Sequence, residues 1–105
     1  MIRSDRMRPV PETTLNRWRQ LSALDVLQVF AEHSKLDRTF VPTTAMGGTR
    51  WHASVLGVDF ELILNGPKFW DCRSQSGGGG AVDLVMHLTR QDFRMAARLL
   101  EERNL

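Results

Sequence analysis

A run of four consecutive glycines, Gly77 to Gly80, constrains the fold of this chain more than any other feature. An aromatic stretch typical of a strand, Phe69 to Cys72, precedes it. A helical pattern begins directly after it, with Ala81, Leu84, Val85 and Leu88 on one face. Because glycine has no Cβ, the run can adopt positive φ and lets the helix pack close to the sheet. We therefore predict a tight strand-to-helix connection here.

The start of this helix has two interpretations. Its first turn has unpaired N–H groups and a partial positive charge, which can bind an anion such as phosphate. Gly78 and Gly79 would then belong to a phosphate-binding loop. In the other interpretation the run is only a structural connection, and Asp83 in the first turn interacts favourably with the helix dipole. Glycine runs are common in loops, which favours the structural connection.

The length of 105 residues fits one small domain. Hydrophobic residues make up 42% and charged residues 25%, as in folded globular proteins. No apolar run approaches the ~20 residues of a membrane helix, and no signal-peptide core follows the N-terminal arginines. We therefore expect a cytoplasmic protein without membrane association.

Residue usage also limits the chemistry. One cysteine, Cys72, excludes an internal disulfide, and with three scattered histidines it makes a poor metal site. The net charge is only +2, but 12 of the 14 basic residues are arginine. Arginine binds phosphate through flat, bidentate contacts and stacks on bases. This composition favours a nucleic-acid partner weakly, because a GC-rich genome also produces arginine-rich proteins.

Residues 1–21 form a basic N-terminal segment with a local net charge of +3. Pro9 and Pro11 keep its first half extended, and we predict a short helix from Thr14 to Leu21. The segment is either an arm that binds a nucleic-acid backbone or a solvated terminus.

Residues 22–105 are the predicted folded domain. Ser22 is the expected N-cap of a helix that ends near His33, where the histidine would interact with the helix dipole. The apolar face of this helix consists of Ala23, Val26, Leu27 and Phe30. A short strand from Lys35 to Val41 and a loop from Pro42 to Gly48 follow.

Three antiparallel strands are predicted next. Trp51 to Leu56 and Val58 to Leu64 flank Gly57 as a hairpin. Alternation in the second strand predicts one buried face, which consists of Val58, Phe60, Leu62 and Leu64. Asn65-Gly66 predicts a two-residue turn into the third strand, Lys68 to Cys72.

Two helices complete the chain. The first runs from Ala81 to Thr89, and the second begins after an N-cap at Asp92. The second helix is expected to bury Phe93, Ala96, Ala97 and Leu100 and to expose its charged residues. The predicted fold class is α+β, a small antiparallel sheet packed on one side by helices.

The chain offers no catalytic constellation. No nucleophile, base and acid combine with a spacing signal, and neither a Walker-type lysine nor a dinucleotide fingerprint follows the glycines. We therefore predict no enzyme activity, no catalytic residue and no cofactor.

A group of basic and aromatic residues remains near the predicted sheet: Arg50, Trp51, His52, Lys68, Trp70 and Arg73. Proteins that bind single strands combine a basic groove with aromatic faces on which bases stack. If Lys68 and Trp70 share one strand face, Phe69 lies on the other, so one aromatic of the pair is core. In so small a domain, each of the two tryptophans is more often a core residue than a stacking platform.

The central stretch resembles the zinc-ribbon DNA-binding domain that precedes the catalytic core of bacterial replicative primases. That family has an aromatic pair, Cys-x-x-Cys, a Gly-rich segment, an Asp with an apolar helix, and a later Phe-x-x-Ala helix. The matching residues are Phe69-Trp70, Cys72, Gly77 to Gly80, Asp83-Leu84, and Phe93 with Ala96-Ala97. The helix from Leu24 to Phe30 and the strand residue Phe60 also match, so the resemblance covers residues 22–105.

The zinc ligands of that family are largely missing. Gln75 stands at the second cysteine position, and only His52 is available near Arg50 to Ala53, where the family has a Cys and a His. Cys72 alone cannot hold zinc. The sequence looks more like zinc-less versions in primase-like proteins of plasmids and mobile elements, where a Toprim domain follows. This chain stops at Leu105, so we expect no Toprim domain, no metal, and an apolar core as the stabilising element.

The resemblance implies a stand-alone, non-catalytic module that binds single-stranded DNA in replication or transfer of a plasmid or mobile element. The candidate binding residues are Arg50, Trp51, His52, Lys68, Trp70, Arg73, Gly78 and Gly79. The alternative is a protein adaptor or inhibitor that mimics a primase domain and binds a primase, helicase or conjugation component. A basic, aromatic groove favours the first function, and a contiguous apolar or acidic patch favours the second.

Overall fold

A computed structural model describes residues 9–42 and 47–105. In these ranges the elements are α1 (Glu12–Gln20), α2 (Ala23–Phe30), β1 (His33–Leu36), β2 (Thr49–Val55), β3 (Val58–Asn65), β4 (Lys68–Asp71), β5 (Ser76–Gly79), α3 (Ala81–Thr89) and α4 (Phe93–Glu102). The predicted α+β class is confirmed. Parts of the predicted basic N-terminal segment and of the predicted loop, residues 1–8 and 43–46, lie outside the described residues.

The strands form one antiparallel sheet in the order β1-β2-β3-β4-β5. Each strand pairs with the next one along the chain, so the sheet needs no crossover connection. The β2–β3 turn uses Leu56 and Gly57, both at positive φ. The next turn lies on Gly66 and Pro67, one residue later than predicted, because Asn65 still pairs with Lys68.

The two faces of the sheet differ. Helices cover one face, whose buried side chains include Ala53, Val55, Phe60, Leu62, Leu64 and Phe69. Because side chains alternate along a strand, the residues between these point the other way. We call that surface the open face; the residues on it include Lys35, Arg50, His52, Glu61, Ile63, Lys68 and Trp70.

The helices build the other half of the core. Leu84, Val85 and Leu88 of α3 are fully or nearly fully buried, and so is Trp18 of α1. Burying one such aliphatic side chain contributes about 1.5–3 kcal/mol. The predicted N-cap of α4 is present, since the Asp92 carboxylate accepts a hydrogen bond from the Met95 N–H at 3.0 Å. In the described part of the chain, no helix combines the length and apolar character needed to cross a membrane.

The glycine run departs most from the prediction. Ser76–Gly79 is an edge strand, not a loop, and within the run only Gly80, the N-cap of α3, has positive φ. Strand pairing itself requires glycine at one position. A Cβ at Gly77 would lie 2.5 Å from the Phe69 carbonyl oxygen, far too close. The positive φ that glycine allows is thus used at Gly80, whereas Gly78 and Gly79 are extended strand residues.

Several smaller predictions were also wrong. His33 begins β1 instead of ending α2. Ser22 is the N-cap of α2 as predicted, but its side chain makes no capping hydrogen bond. The strand predicted as Lys35 to Val41 ends at Leu36, because Asp37 forms a turn in which its carboxylate accepts hydrogen bonds from Thr39.

Two residues predicted to be buried are exposed. Val58 is 47% exposed because it begins β3 at the hairpin end. Phe93 is 43% exposed because it lies in the first turn of α4, ahead of the buried stripe formed by Ala96, Ala97 and Leu100.

Candidate nucleic-acid interface

Trp70 is the exposed aromatic residue of the open face, with 40% of its surface accessible. Its cross-strand neighbours are Ile63 on β3 and Gly77 on β5. A Cβ at Gly77 would lie 2.9 Å from Cε3 of the tryptophan, so the indole ring lies directly against the glycine backbone. The ring is thus packed where it meets the sheet and accessible elsewhere, which suits base stacking.

Lys68 lies two residues before Trp70 and therefore on the same face. It pairs with Gly79, and a Cβ at that glycine would be 3.8 Å from the lysine Cγ. The Lys68 ammonium forms no ion pair with any residue that the structure describes. We call the open-face side of β5, formed by Gly77 and Gly79, the glycine shelf. An aromatic ring and an unpaired cation border it.

Arg50 lies on the open face, but its charge is engaged. Its Nη2 is 2.8 Å from Asp37 Oδ2, its Nε donates to the same oxygen at 2.9 Å, and its Nη1 is 3.6 Å from Glu61 Oε2. These contacts raise the pKa of Arg50, chiefly through the hydrogen bond with Asp37. The guanidinium is therefore held by two carboxylates and is not available as a free phosphate contact.

His52 belongs to the same cluster, since its Nε2 is 3.1 Å from Asp37 Oδ2. Hydrogen bonds from Thr39, His52 and Arg50 lower the pKa of Asp37 well below its usual range, the Thr39 hydroxyl contributing most. Asp37 is thus an anion at any physiological pH. This end of the open face is balanced in charge, so its geometry does not favour a basic groove around Arg50 and His52.

Trp51 and Gly78 lie on the covered face. Trp51 is partly buried, packs against the core, and donates from Nε1 to Thr49 Oγ1 at 2.9 Å. A Cβ at Gly78 would lie 3.2 Å from the Phe69 ring, so this glycine packs against a core aromatic. Alternation places both residues on the face opposite Trp70, so the structure does not bring them together with Trp70 on one surface.

Arg73 follows β4, at the opposite end of that strand from Lys68. It is exposed and lines a groove of about 580 Å³ with residues that include Lys35, His52 and Asp59. The five-residue separation along an extended strand corresponds to roughly 16 Å. Lys68 and Arg73 can therefore contact the same DNA strand only if the DNA runs along β4, past Trp70.

The phosphate-binding interpretation of the glycine run is not favoured by the geometry. Asp83 Oδ2 accepts a hydrogen bond from the Gly79 N–H at 3.3 Å, and the Gly80 N–H donates to the Pro67 carbonyl at 2.9 Å. A carboxylate thus lies where a bound phosphate would be expected. The structural interpretation, with Asp83 near the start of α3, fits these contacts.

Hydrogen bonds close the turn where the zinc-ribbon pattern has its second ligand pair. Asp71 Oδ1 accepts from the N–H groups of Arg73 at 2.9 Å and Ser74 at 3.1 Å. The Gln75 side-chain amide donates to the Cys72 carbonyl at 2.8 Å. In residues 9–42 and 47–105, no group of three or more His, Cys, Asp or Glu side chains is arranged to hold a metal ion.

Asp71 also links the sheet to α3, because its Oδ2 is 2.6 Å from Nε2 of His87. Burial raises the pKa of Asp71, but hydrogen bonds from His87, Ser74 and Arg73 outweigh it, so the net pKa is lowered. The rings of Phe60 and Phe69 pack against the histidine. Sequence reasoning missed this pair, since nothing in the chain connects two residues 16 positions apart on different elements.

Cys72 lies at the start of the turn and is partly buried. Burial and the nearby Glu61 carboxylate raise the pKa of the Cys72 thiol. A protonated, hydrogen-bonded thiol is a poor nucleophile and a poor metal ligand.

The fold and the site thus define a small α+β domain with one uncovered sheet face. No family model matches the chain, and no solved structure matches it. A 44-residue segment, 42% of this chain, is 46% identical to part of a "65 kDa protein" of Zymomonas mobilis subsp. mobilis. The match covers 8% of that protein's length, so it is a partial likeness to a much longer chain.

Proposed function

We propose that this protein is a non-catalytic module that binds single-stranded DNA along β4 on the open face. The observation that carries the proposal is the exposed Trp70 ring, which lies against Gly77. Lys68, which forms no ion pair with a described residue, lies on the same face. The proposed setting, replication or transfer of a plasmid or mobile element, rests on the resemblance of residues 22–105 to primase zinc ribbons.

The chemistry of this surface suits a single strand better than a duplex. Stacking on an aromatic side chain is worth about 1–3 kcal/mol per base and needs an unpaired base. Lys68 and Arg73, at the two ends of β4, supply charge for the phosphates that flank the stacked base. Because this surface offers one stacking ring and few free cations, we expect a Kd of about 10⁻⁶–10⁻⁴ M at physiological salt, which is the range of non-specific binders.

The test is a fluorescence-anisotropy titration of labelled oligothymidylate with the parent and the Trp70→Ala variant. Phe93→Ala is the matched control, because Phe93 is exposed to a similar extent, 43% against 40%, but lies on α4. We expect Trp70→Ala to weaken binding by about 1–3 kcal/mol with little change in salt slope, since stacking releases no counterions. Equal affinity of the parent and Trp70→Ala would contradict the proposal.

One observation favours the second candidate, a protein adaptor. Leu56 is 69% exposed at the tip of the β2–β3 hairpin, and its φ of 51° is one for which asparagine or glycine is preferred. Val58, two residues further along the chain, is also exposed. An exposed leucine in a left-handed conformation contributes little to the fold, so a partner surface is a reason to have it.

The adaptor function has its own test. Leu56→Asn keeps the turn conformation and removes the apolar side chain. If the chain is an adaptor, the parent binds a purified replicative primase or helicase in isothermal titration calorimetry, and Leu56→Asn loses that binding. The DNA function predicts that Leu56→Asn binds oligothymidylate like the parent.

A further inference from the structure

A second groove, of about 560 Å³, lies between β5 and α3, beyond the glycine shelf. The residues that line it include Ser76 and Gly77 from the strand and Met86, His87 and Arg90 from α3 and its C-cap. Gly77 belongs both to this groove and to the surface on which the Trp70 ring lies. The groove and the stacking site are therefore adjacent, and the residue between them has no side chain.

The outer edge of β5, between the two surfaces, is open at Gly77, while the Gly79 N–H donates to Asp83. β5 is the last strand of the sheet, and none of the described strands pairs with its outer side. Gly77 must be glycine for packing reasons, but Gly79 need not be. A Cβ there would meet only Lys68 Cγ, at an ordinary 3.8 Å, and its φ is not left-handed. Because glycine weakens a strand interior, its presence at position 79 points to close approach of another backbone.

The groove also provides groups that suit a nucleotide. Arg90 is exposed and forms no ion pair within the ranges that the structure describes. Met86 and the accessible part of the His87 side chain, 16% of its surface, also line the groove, and Asp71 holds His87 in place. The carboxylate that lines the groove, Asp83, is engaged by the Gly79 N–H.

We propose that a single strand bound at Trp70 continues over the glycine shelf into this groove, where Arg90 binds a phosphate and a base contacts Met86 and His87. This inference rests on the proposed single-strand binding and extends it. It makes the full site longer than the Trp70 surface alone. It also selects against duplex DNA, because only a single DNA backbone can follow the outer edge of β5.

The test compares oligothymidylates of about 4 and about 12 nucleotides, which span the site sizes of small single-strand modules. Arg90→Gly is the primary variant, because Arg90 has a φ of 61° and glycine adopts that conformation without strain. Arg90→Lys retains the charge. Arg98→Ala is the control, since Arg98 is also exposed and forms no ion pair with a described residue but lies outside the groove.

Arg90→Gly is expected to weaken binding of the longer strand about three- to tenfold and to reduce its log–log salt slope by about 0.7. Its affinity for the shorter strand should equal that of the parent. Arg90→Lys should restore the slope, and Arg98→Ala should change neither strand. Equal effects of Arg90→Gly and Arg98→Ala, or an equal loss on both strand lengths, would overturn the inference.

The inference and the proposed function can fail separately. If binding depends on Trp70 but not on Arg90, the strand binds the open face without reaching the groove, and only the inference fails. If neither strand binds, both fail. As a second readout, 5-iodouracil at one end of the longer strand should photo-cross-link to a peptide that contains Met86 and His87. Cross-links confined to the Trp70 peptide would also overturn the inference.

Discussion

Replacing Gly77 with alanine should destabilise the domain strongly. The new Cβ would lie 2.5 Å from the Phe69 carbonyl oxygen and 2.9 Å from Trp70 Cε3. A carbon normally stays at least about 3.3 Å from such an oxygen, so β5 must move away from β4 by roughly 0.8 Å. The backbone oxygen cannot rotate aside, and the ladder between the two strands must open locally.

The cost can be estimated from these contacts. Overpacking of this kind typically costs about 1–3 kcal/mol, and a lost ladder hydrogen bond adds about 0.5–1.5 kcal/mol. We expect Gly77→Ala to lower the free energy of unfolding by about 2–4 kcal/mol. In a domain of this size, each kcal/mol shifts Tm by about 4–8 °C, so Tm should fall by at least about 8 °C.

Gly79→Ala is the matched control, because Gly79 lies two residues after Gly77 on the same strand and the same face. Its Cβ would meet only Lys68 Cγ at 3.8 Å. We expect a change between neutral and a gain of about 0.4–1 kcal/mol from reduced freedom of the unfolded chain. Gly78→Ala should fall between the two, because its Cβ would be 3.1 Å from Asp83 Oδ2 and 3.2 Å from Phe69 Cε1.

The assay is urea unfolding followed by circular dichroism, with tryptophan fluorescence as a second probe because Trp70 lies on Gly77. From most to least stable, the predicted order of the variants is Gly79→Ala, Gly78→Ala and Gly77→Ala. If Gly77→Ala and Gly79→Ala have the same midpoint, β5 does not pair with β4 as described, and the reason given for glycine at position 77 is refuted.

Three further predictions concern other parts of the molecule. Asp71 has a lowered pKa, so its contribution to stability is present above the ordinary value of 3.8 and is lost as pH falls through the lower folded value. Asp71→Asn should therefore lower the free energy of unfolding at pH 7 by about 1–3 kcal/mol and flatten the decline of Tm below pH 4 in thermal melts. An unchanged dependence of Tm on pH would show that Asp71 is not the titrating group. The double replacement of Lys68 and Arg73 by alanine should reduce the log–log salt slope of single-strand binding by up to about 1.4, which is about 0.7 per phosphate contact. The circular dichroism spectrum should not change. An unaltered slope would show that the phosphates bind elsewhere. Purified protein should contain no stoichiometric zinc, and a chelator should leave Tm unchanged, since Cys72 faces no second cysteine ligand; one equivalent of tightly bound zinc by elemental analysis would refute this.

Much of the fold could be predicted from local patterns. Alternation identified Phe60, Leu62 and Leu64 as the buried face of β3, and helical spacing identified α3 at its observed bounds, Ala81–Thr89. The strand β5 could not be predicted, because Ser-Gly-Gly-Gly lacks the β-branched and aromatic residues that indicate strands. Pairing with β4 forms it, and that pairing is a tertiary contact that no local pattern encodes.

The candidate site was predictable only where alternation applied. Phe69 is buried and Trp70 exposed, as the alternation of neighbouring strand residues requires. The same rule shows that Arg50, Trp51 and His52 cannot all lie on one face, and it places the middle residue on the covered side. The neutralisation of Arg50 needed the structure, because Asp37 is 13 residues away and reaches it from the turn after β1.

The most direct test of single-strand binding is a titration of fluorescent single- and double-stranded oligonucleotides against the parent protein at two salt concentrations. The account predicts preferential binding of the single strand, with affinity that falls as salt rises at a log–log slope of about −0.7 per phosphate neutralised. If no oligonucleotide binds below about 100 μM at low salt, which is weaker than much non-specific binding, the DNA function is contradicted and the adaptor function takes its place.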